Sequence, residues 1–381
     1  MGDIGLVTFF LGVEDPRLSR GCRHLLLDVM VIAICAVVCG SRGWTDIEEW
    51  AQAHEKWLST FLELPHGIPS ADTFARVFSI IDGEQFQKCF SQWAQAVNQA
   101  SGGKLIAIDG KTIRRSFNIA AEKSAIHLVS AWSVENQVVL AQVKVTDKSN
   151  EITAIPRLLD LLNLKGTTVT IDAMGCQTDI ASRIVAKGGD YVFSLKGNQE
   201  TIHQEVSKFF EGARKSEFKE LNHDTWEITE KGHGRIEERV YRQSAEVDWL
   251  DGKGKWKGLR SIGMVDAKRI IEEKITAETR YFLSSLAQDA EKFAKAVRGH
   301  WSIENGLHWC LDVVMNEDQS RIRIKNAAEN FAVLRRIALN LLKKAPHKKK
   351  RISMALKGRR CGWDHDYLLK VLFSDGEKAT V

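Results

Sequence analysis

The sequence predicts an α/β protein: a mixed sheet covered by helices, preceded by an all-helical N-terminal domain and interrupted by an inserted β-rich subdomain. Three observations carry this. Apolar residues recur at helical spacing through the first hundred positions. After Ser101-Gly102-Gly103 the texture changes to short β-branched runs that alternate with amphipathic stretches. From Asn222 to Leu283 strand-like runs follow one another with no helix between them.

In order, His24–Cys39 reads as an apolar helix, too short and too interrupted by Asp28 to span a bilayer. Thr45 is the expected N-cap of a helix beginning at Asp46, and Ser70 that of a helix whose Phe74, Val77, Phe78 and Ile81 share one face. Glu84–Val97 continues the pattern through Phe86, Phe90, Trp93 and Val97. Lys104–Asp109 reads as a strand, and Ala125–Ser133 with Gln137–Val145 as a hairpin around Glu135-Asn136. Helices are expected at Ile152–Leu162 and Ile180–Lys187, and strands at Thr167–Asp172 and Tyr191–Leu195. The β-rich stretch holds Thr225–Glu230, Arg235–Arg242, Gly258–Ala267 and Thr276–Leu283; helices resume at Ala290–Arg298 and Ala327–Lys343. These divide the chain into a helical domain (1–102), a first core part (103–221), the β-rich insertion (222–284), a second core part (285–345) and a basic C-terminal segment (346–381).

Composition narrows the class. With 381 residues, 44% hydrophobic, 27% charged and only 5 prolines, the chain is an ordinary globular protein without long disordered linkers. A net charge of +5 is mildly basic and does not by itself mark a nucleic-acid binder. Lys343-Lys344 followed by Lys348-Lys349-Lys350-Arg351 reads either as a solvated tail or as a phosphate-contacting arm. Seven cysteines with no CxxC pair indicate neither a zinc ribbon nor a disulfide framework, so reduced thiols in the cytoplasm are expected. No secretory leader or membrane span is expected.

Three acids stand out. Asp109 ends the run Leu105–Ile108, Asp172 ends Thr167–Ile171, and Glu304 lies in Arg298-Gly-His-Trp-Ser-Ile-Glu304-Asn-Gly-Leu-His308-Trp309. A carboxylate at the end of a buried strand is costly unless it meets a cation. Two such aspartates and a longer glutamate from a helix suit a pair of hard divalent ions acting on a phosphodiester. The plainer alternative is that each strand-end aspartate only caps the next turn. Lys111, Arg114 and Arg115 surround the first acid, and a phosphate would balance their charge. Gly110-Lys111-Thr112 lacks the upstream glycines of a phosphate loop. Lys196 and Asn198 follow a strand and are candidate phosphate or sugar contacts, or a solvated turn. His300, Glu304 and His308 share a helical face at spacings of four; read as a zinc helix, they lack the adjacent His-Glu order. Trp301 and Trp309 are either stacking surfaces for an unpaired base or core residues. Asp312 and Glu317 rival Glu304 as metal ligands, and Arg321 with Arg323 closes this charged stretch.

These motifs together resemble the H-repeat-associated proteins of the ISAs-type DDE transposase family. The matching segments are Ala107–Thr112, Thr170–Gln177, Leu195–Gln199, Gly232–Glu237, His300–Asn305 with Leu307–Trp309, and Asp312–Asp318. Toward the N-terminus, Asp15–Arg17, Arg20–His24, Gly67–Ser70 and Asp72–Phe74 resemble the family's associated helical domain. The resemblance implies a ribonuclease-H-like core, cleavage of insertion-sequence ends with two Mg²⁺ (or Mn²⁺) ions, and strand transfer by the freed 3′-hydroxyl. It places the catalytic and metal-binding triad on Asp109, Asp172 and Glu304. On charge, hydrogen bonding and stacking, the DNA contacts are expected among Lys111, Arg114, Arg115, Lys196, Asn198, His300, Trp301, His308, Arg321 and Arg323. The Tyr, Arg and Lys that the wider class carries around its glutamate fall here on Val297, His300 and Leu311, and all three differ. The implied partners are double-stranded DNA, as terminal repeats and target, and a second copy of the chain on DNA. A catalytically inactive remnant that only binds DNA and a general metal-dependent nuclease are the competing expectations.

Overall fold

The structure is a computed structural model. It describes residues 5–18, 22–117, 124–146, 150–232, 234–272, 274–346 and 352–373. The N-terminal part runs through α1 (Leu6–Phe10), α2 (Leu26–Cys39), α3 (Trp44–Ala53), α4 (Glu55–Leu58), α5 (Ala71–Ile80) and α6 (Gly83–Ala100). The sheet then begins with β1 (Leu105–Thr112), β2 (His127–Ser133) and β3 (Val138–Lys144). It continues through α7 (Glu151–Asp160), β4 (Thr168–Ile171), α8 (Thr178–Ala186), β5 (Asp190–Leu195) and α9 (Glu200–Lys215). Four long strands follow, β6 (Asp224–Gly232), β7 (Arg235–Ser244), β8 (Ser261–Ile271) and β9 (Lys274–Ser284), and then α10 (Ala290–His300). After it come π-helical turns at Glu304–His308 and Cys310–Val314, then α11 (Ala327–Lys344), α12 (Met354–Trp363) and α13 (His365–Leu372).

The nine strands among the described residues form one mixed sheet in the order β3-β2-β1-β4-β5-β9-β8-β7-β6. β1, β4 and β5 are parallel neighbours, and β1-β2-β3 is an antiparallel meander. The β-rich stretch expected as an inserted subdomain is therefore no separate sheet. β9 returns antiparallel onto β5, pairing Val192–Leu195 with Tyr281–Ser284, so the insertion lengthens the same sheet. An unpaired strand edge is a template for a further strand, and β9 takes that place on β5.

Alternation along β1 explains how the layers are filled. Ile106 and Ile108 face a core built with Leu158 and Leu159 of α7, Ile180 and Ile184 of α8, and Ile202, Val206 and Phe210 of α9. Leu105 and Ala107 face the opposite side, where α10 and the π-helical turns pack. α9 was not among the expected elements, although its buried residues recur every fourth position, the spacing of one helix face.

The N-terminal helices share their apolar side with the rest of the chain. Phe74, Phe78, Phe86 and Phe90 are fully buried in one cluster with Phe331, Leu334 and Ile337 of α11; each such phenylalanine contributes about 1.5–3 kcal/mol. Asn330 Nδ2 donates to the carbonyls of Phe78 and Ile81. Asn340 both accepts from Val139 N and donates to Val139 O at 2.8 Å, satisfying the backbone where the β2–β3 register slips.

Ser70 caps α5 as expected, accepting from Thr73 N. Thr45 does not cap α3. The helix starts two residues earlier, at Trp44, with Gly43 at the cap position and the Trp44 ring packed against Phe78 and Phe331. The expected basic C-terminal segment contains two capped helices, α12 and α13, which bury Cys361, Leu368 and Val371 in the helical core. At the surface, Lys343 and Lys344 donate to Gln137 Oε1 and Ser101 Oγ. Lys348, Lys349, Lys350 and Arg351 lie outside the described residues. Among the described residues, no single helix is long and apolar enough to cross a membrane.

Candidate active site

Asp109 was expected at the end of a strand. It lies inside β1, at the point where β1 loses its parallel neighbour. Pairing with β4 stops at Ile108–Ile171, whereas pairing with β2 continues to Thr112–His127. Asp172 is the next residue after β4. The two aspartates thus follow one register pair of adjacent parallel strands, on the side of the sheet occupied by Ala107 and Thr170. Open α/β sheets bind ligands where parallel strands end.

Glu304 arrives over the same place on the helix that crosses β1 and β2. Two glycines set its height. A Cβ at Gly299 would lie 2.4 Å from Leu105 Cδ2, and one at Gly306 would lie 2.7 Å from the Trp132 ring. Trp132 Nε1 also donates to Ser302 Oγ at 3.1 Å. Between these anchors the helix widens, with Trp309 N bonding to Glu304 O five residues back, a bulge common at functional sites. Replacing Gly306 with Ala is expected to lift this turn off β2. Phosphodiester cleavage should fall about tenfold or more with DNA affinity retained; unchanged cleavage kinetics would remove the packing argument.

The carboxylates share an electrostatic field. Burial lifts the Asp109 carboxyl to about 7; the Gly110 N–H opposes this, while the carboxylates of Glu151, Asp172 and Glu304 push further in the same direction. Asp172 Oδ1 also accepts from Met174 N and Gly175 N, so it caps its turn as the plainer reading expected. Among the described residues no three His, Cys, Asp or Glu groups are drawn tightly enough to enclose an ion; the acids form an open trio.

Each aspartate has a histidine beside it. His300 Nδ1 meets Thr170 Oγ1 at 3.2 Å, and burial lowers its affinity for a proton despite the Asp172 charge. His308 Nδ1 lies 3.6 Å from Asp109 Oδ2. Burial, with Lys111 and Arg336 nearby, brings His308 down to about 4. Both rings are neutral near pH 7.

The expected DNA contacts divide. Lys111 is not available to phosphate: it is 8% exposed and bridges Asp312 at 2.7 Å and Asp318 at 2.9 Å, with Glu317 at 4.0 Å. A cation on a mostly buried strand must find anions within the protein. Asp312 and Glu317, the rival ligands, are engaged by this cation and by Arg336. Arg114 is exposed and pairs with Asp318 on one side. Arg115, Lys196 and Arg321 are exposed. Arg323 donates to Arg115 O and lies over Phe117. Asn198 donates to Ala173 O at 2.6 Å and so holds the turn after Asp172. Trp301 and Trp309 are not core residues, at 40% and 55% exposed; Arg280 covers one face of Trp301.

Sequence reasoning missed Glu151, which joins the Asp109 field and binds His127 Nε2 at 2.7 Å. Nothing local marks it, since a glutamate in a first helical turn is ordinary. It also missed the buried Glu317–Arg336 pair. The signal there was legible: Arg335-Arg336 interrupting the apolar stretch 331–339 of α11 demands an internal anion.

A mixed sheet whose parallel strands deliver two register-matched aspartates beneath a helix-borne glutamate forms an open, acid-lined α/β site. Comparison with known proteins makes this specific. The chain belongs to the Transposase DDE domain family, whose model matches residues 100–341, and residues 7–94 match the DDE_Tnp_1-associated domain. It is 43% identical over 372 residues to "H repeat-associated putative transposase YhhI" of Escherichia coli K12, covering 96% of each chain. It is 44% identical over 360 residues to "Putative transposase YncI" of E. coli O157:H7, covering 92% of each. A piggyBac transposase synaptic complex with hairpin DNA aligns at TM-score 0.40 and 12% identity, over 98% of this chain and 78% of that one; this likeness is too loose to argue from.

Proposed function

We propose that the chain is an active DNA transposase in which Asp109, Asp172 and Glu304 hold two Mg²⁺ (or Mn²⁺) ions at the open end of a ribonuclease-H-like core, β1–β5. The observation that carries this is the placement of a half-buried aspartate whose ionised form is disfavoured first by burial and then by three neighbouring carboxylates, Glu151, Asp172 and Glu304. Such a group wants a cation, and its donor set is all hard oxygen. Mg²⁺ takes one or two carboxylates and completes its shell with water and phosphate, so an open trio fits it.

Bound there, the ions would lower the pKa of the attacking water or 3′-hydroxyl and stabilise the leaving oxygen. The chain's own residues do the rest. Arg114, Arg115, Lys196 and Arg321 offer exposed cations to the DNA backbone. Trp301 and Trp309 offer exposed rings to an unpaired base. His300 and His308, being neutral, contribute hydrogen bonds beside the two aspartates without adding charge. The strand order β3-β2-β1-β4-β5 supports the core assignment, and action at paired DNA ends implies a second protomer.

The full chain, mixed with the DNA that flanks its coding region, is expected to nick at inverted-repeat ends in Mg²⁺ and to stop in EDTA. Salt-sensitive binding with no nicking in either Mg²⁺ or Mn²⁺ assigns a DNA-binding remnant instead, and equal cleavage of unrelated DNA assigns a general nuclease.

A further inference from the structure

Behind the helix that carries Glu304, a second cavity of about 380 Å³ opens between α2, α11 and α12. Among the described residues, three arginines, Arg42, Arg335 and Arg359, line it, and no carboxylate does. Arg42 and Arg359 make no ion pair among the described residues and are exposed. Arg335 is 2% exposed, and its Nε has no hydrogen-bond partner among the described residues. Its nearest carboxylate, Glu317, stands 3.8 Å away and is already held more closely by Arg336. A guanidinium this deeply buried with an unused donor is costly to maintain. Burial pulls the Arg335 pKa down to about 10 even with Glu317 helping to raise it.

The first turn of α12 enters the same cavity. Met354 and Ala355 line it. Ser353 caps the N–H of Leu356 by its side chain, and among the described residues no acceptor meets the N–H groups of Met354 and Ala355. Helix N-termini attract anions through such free donors and through the helix dipole. The opposing end of α2 also faces the cavity, and its carbonyls would repel an anion. Gly40 N and Ser41 N already engage the carbonyls of Val37 and Ala36, which blunts that effect. The remaining wall is apolar, from Val37, Val314, Met315 and Leu342.

We propose that this cavity binds a phosphate group attached to an apolar, ring-sized body: a nucleotide, either free or within a DNA strand. The phosphate sits between the three arginines and the α12 N-terminus, and the body lies on the apolar wall. This site is separate from the acid trio and needs no metal ion. It touches Val314 and Met315, the end of the π-helical stretch that begins at Glu304, so an occupant bears on the position of that helix.

The test uses the full chain in EDTA, which silences the metal-dependent site. ADP is titrated by calorimetry, and a 5′-labelled single-stranded oligonucleotide by fluorescence anisotropy. Arg42→Gln/Arg359→Gln is the principal variant, because both side chains are exposed and the fold does not depend on them. Lys215→Gln/Lys257→Gln removes the same charge from residues that do not line the cavity. Saturable ADP binding that weakens at least tenfold only in the arginine variant establishes a free-nucleotide site. Oligonucleotide binding that weakens at least tenfold only in that variant, with ADP silent, establishes a strand nucleotide as the occupant. If neither probe binds, or if the two variants behave alike, the proposal is overturned. Nicking by the wild-type chain in Mg²⁺ is scored independently, so failure of one reading leaves the other standing.

Discussion

Asp109→Asn and Asp172→Asn are each expected to lower metal-dependent end cleavage by about 10³-fold or more, roughly 4 kcal/mol of transition-state stabilisation. DNA affinity should stay within about threefold, because neither carboxylate contacts an exposed cation among the described residues. What separates a metal-binding role from a structural one is stability. The Asp109 carboxyl rises from 3.8 to about 7, first through burial and then through Glu151, Asp172 and Glu304, against the Gly110 N–H. An acid whose pKa is raised on folding destabilises the fold as pH climbs through the folded value. The penalty is absent below about pH 4 and reaches at most about 4 kcal/mol well above 7. Asparagine carries no such penalty. In EDTA at pH 8, Asp109→Asn should therefore melt at the same temperature as the wild type or higher. Addition of Mg²⁺ should raise the melting temperature of the wild type and leave that of the variant unchanged, since ligands stabilise only the state that binds them. A variant that melts lower in EDTA and still responds to Mg²⁺ would place Asp109 among structural residues.

How much of this was visible in the chain depends on how local each signal is. The runs ending at Ile108 and Ile171 announce buried parallel strands, and an aspartate after each is informative because burial makes it costly. Their adjacency, however, is set by the β1–β4 register, a contact across more than sixty residues that no local pattern encodes. The strands of the β-rich stretch were legible one by one. Their joining to β5 was not, because antiparallel pairs read alike whether they close on themselves or extend another sheet. Glu304 stood out by its histidine and tryptophan neighbours, but Gly299 and Gly306, which let that helix touch Leu105 and Trp132, look like ordinary helix breakers until the sheet is beneath them. Lys111 shows the opposite failure. Beside Asp109 it looked like a phosphate ligand, and only the fold reveals Asp312 and Asp318 waiting for it.

That ion network also explains how two acids nearly two hundred residues apart keep their spacing. Lys111 is two residues beyond Asp109 on β1. Asp312 lies on the helical continuation from Glu304, and Asp318 a short turn later. One ammonium group thus ties the strand of the first acid to the helix of the third. Asp318 reaches further to Arg114. An ion pair with several partners fixes direction as well as distance, which isolated apolar contacts do less sharply.

At the centre of the network, Glu317→Gln is expected to be the most destabilising single replacement in the catalytic half. Glu317 is fully buried, bonded to Arg336, 3.8 Å from Arg335 and 4.0 Å from Lys111. Burial alone would raise its carboxyl, but Arg336, Arg335 and Lys111 overcome this and hold it below its ordinary 4.5. Such a group stabilises the fold fully above its unfolded value, and the contribution is lost as pH falls from about 4.5 through the lower folded value. Glutamine keeps the shape and removes the charge, leaving two buried guanidinium groups without their anion. Breaking a buried pair in this way costs about 3–5 kcal/mol, measurable as a lower urea midpoint at pH 7 with an unchanged slope. The gap between variant and wild type should close as pH falls through that lower folded value, where the wild-type glutamate is itself protonated. A urea midpoint at pH 7 that corresponds to less than about 1 kcal/mol of loss, or a gap that stays constant with pH, would show that the arginines are neutralised by something other than Glu317.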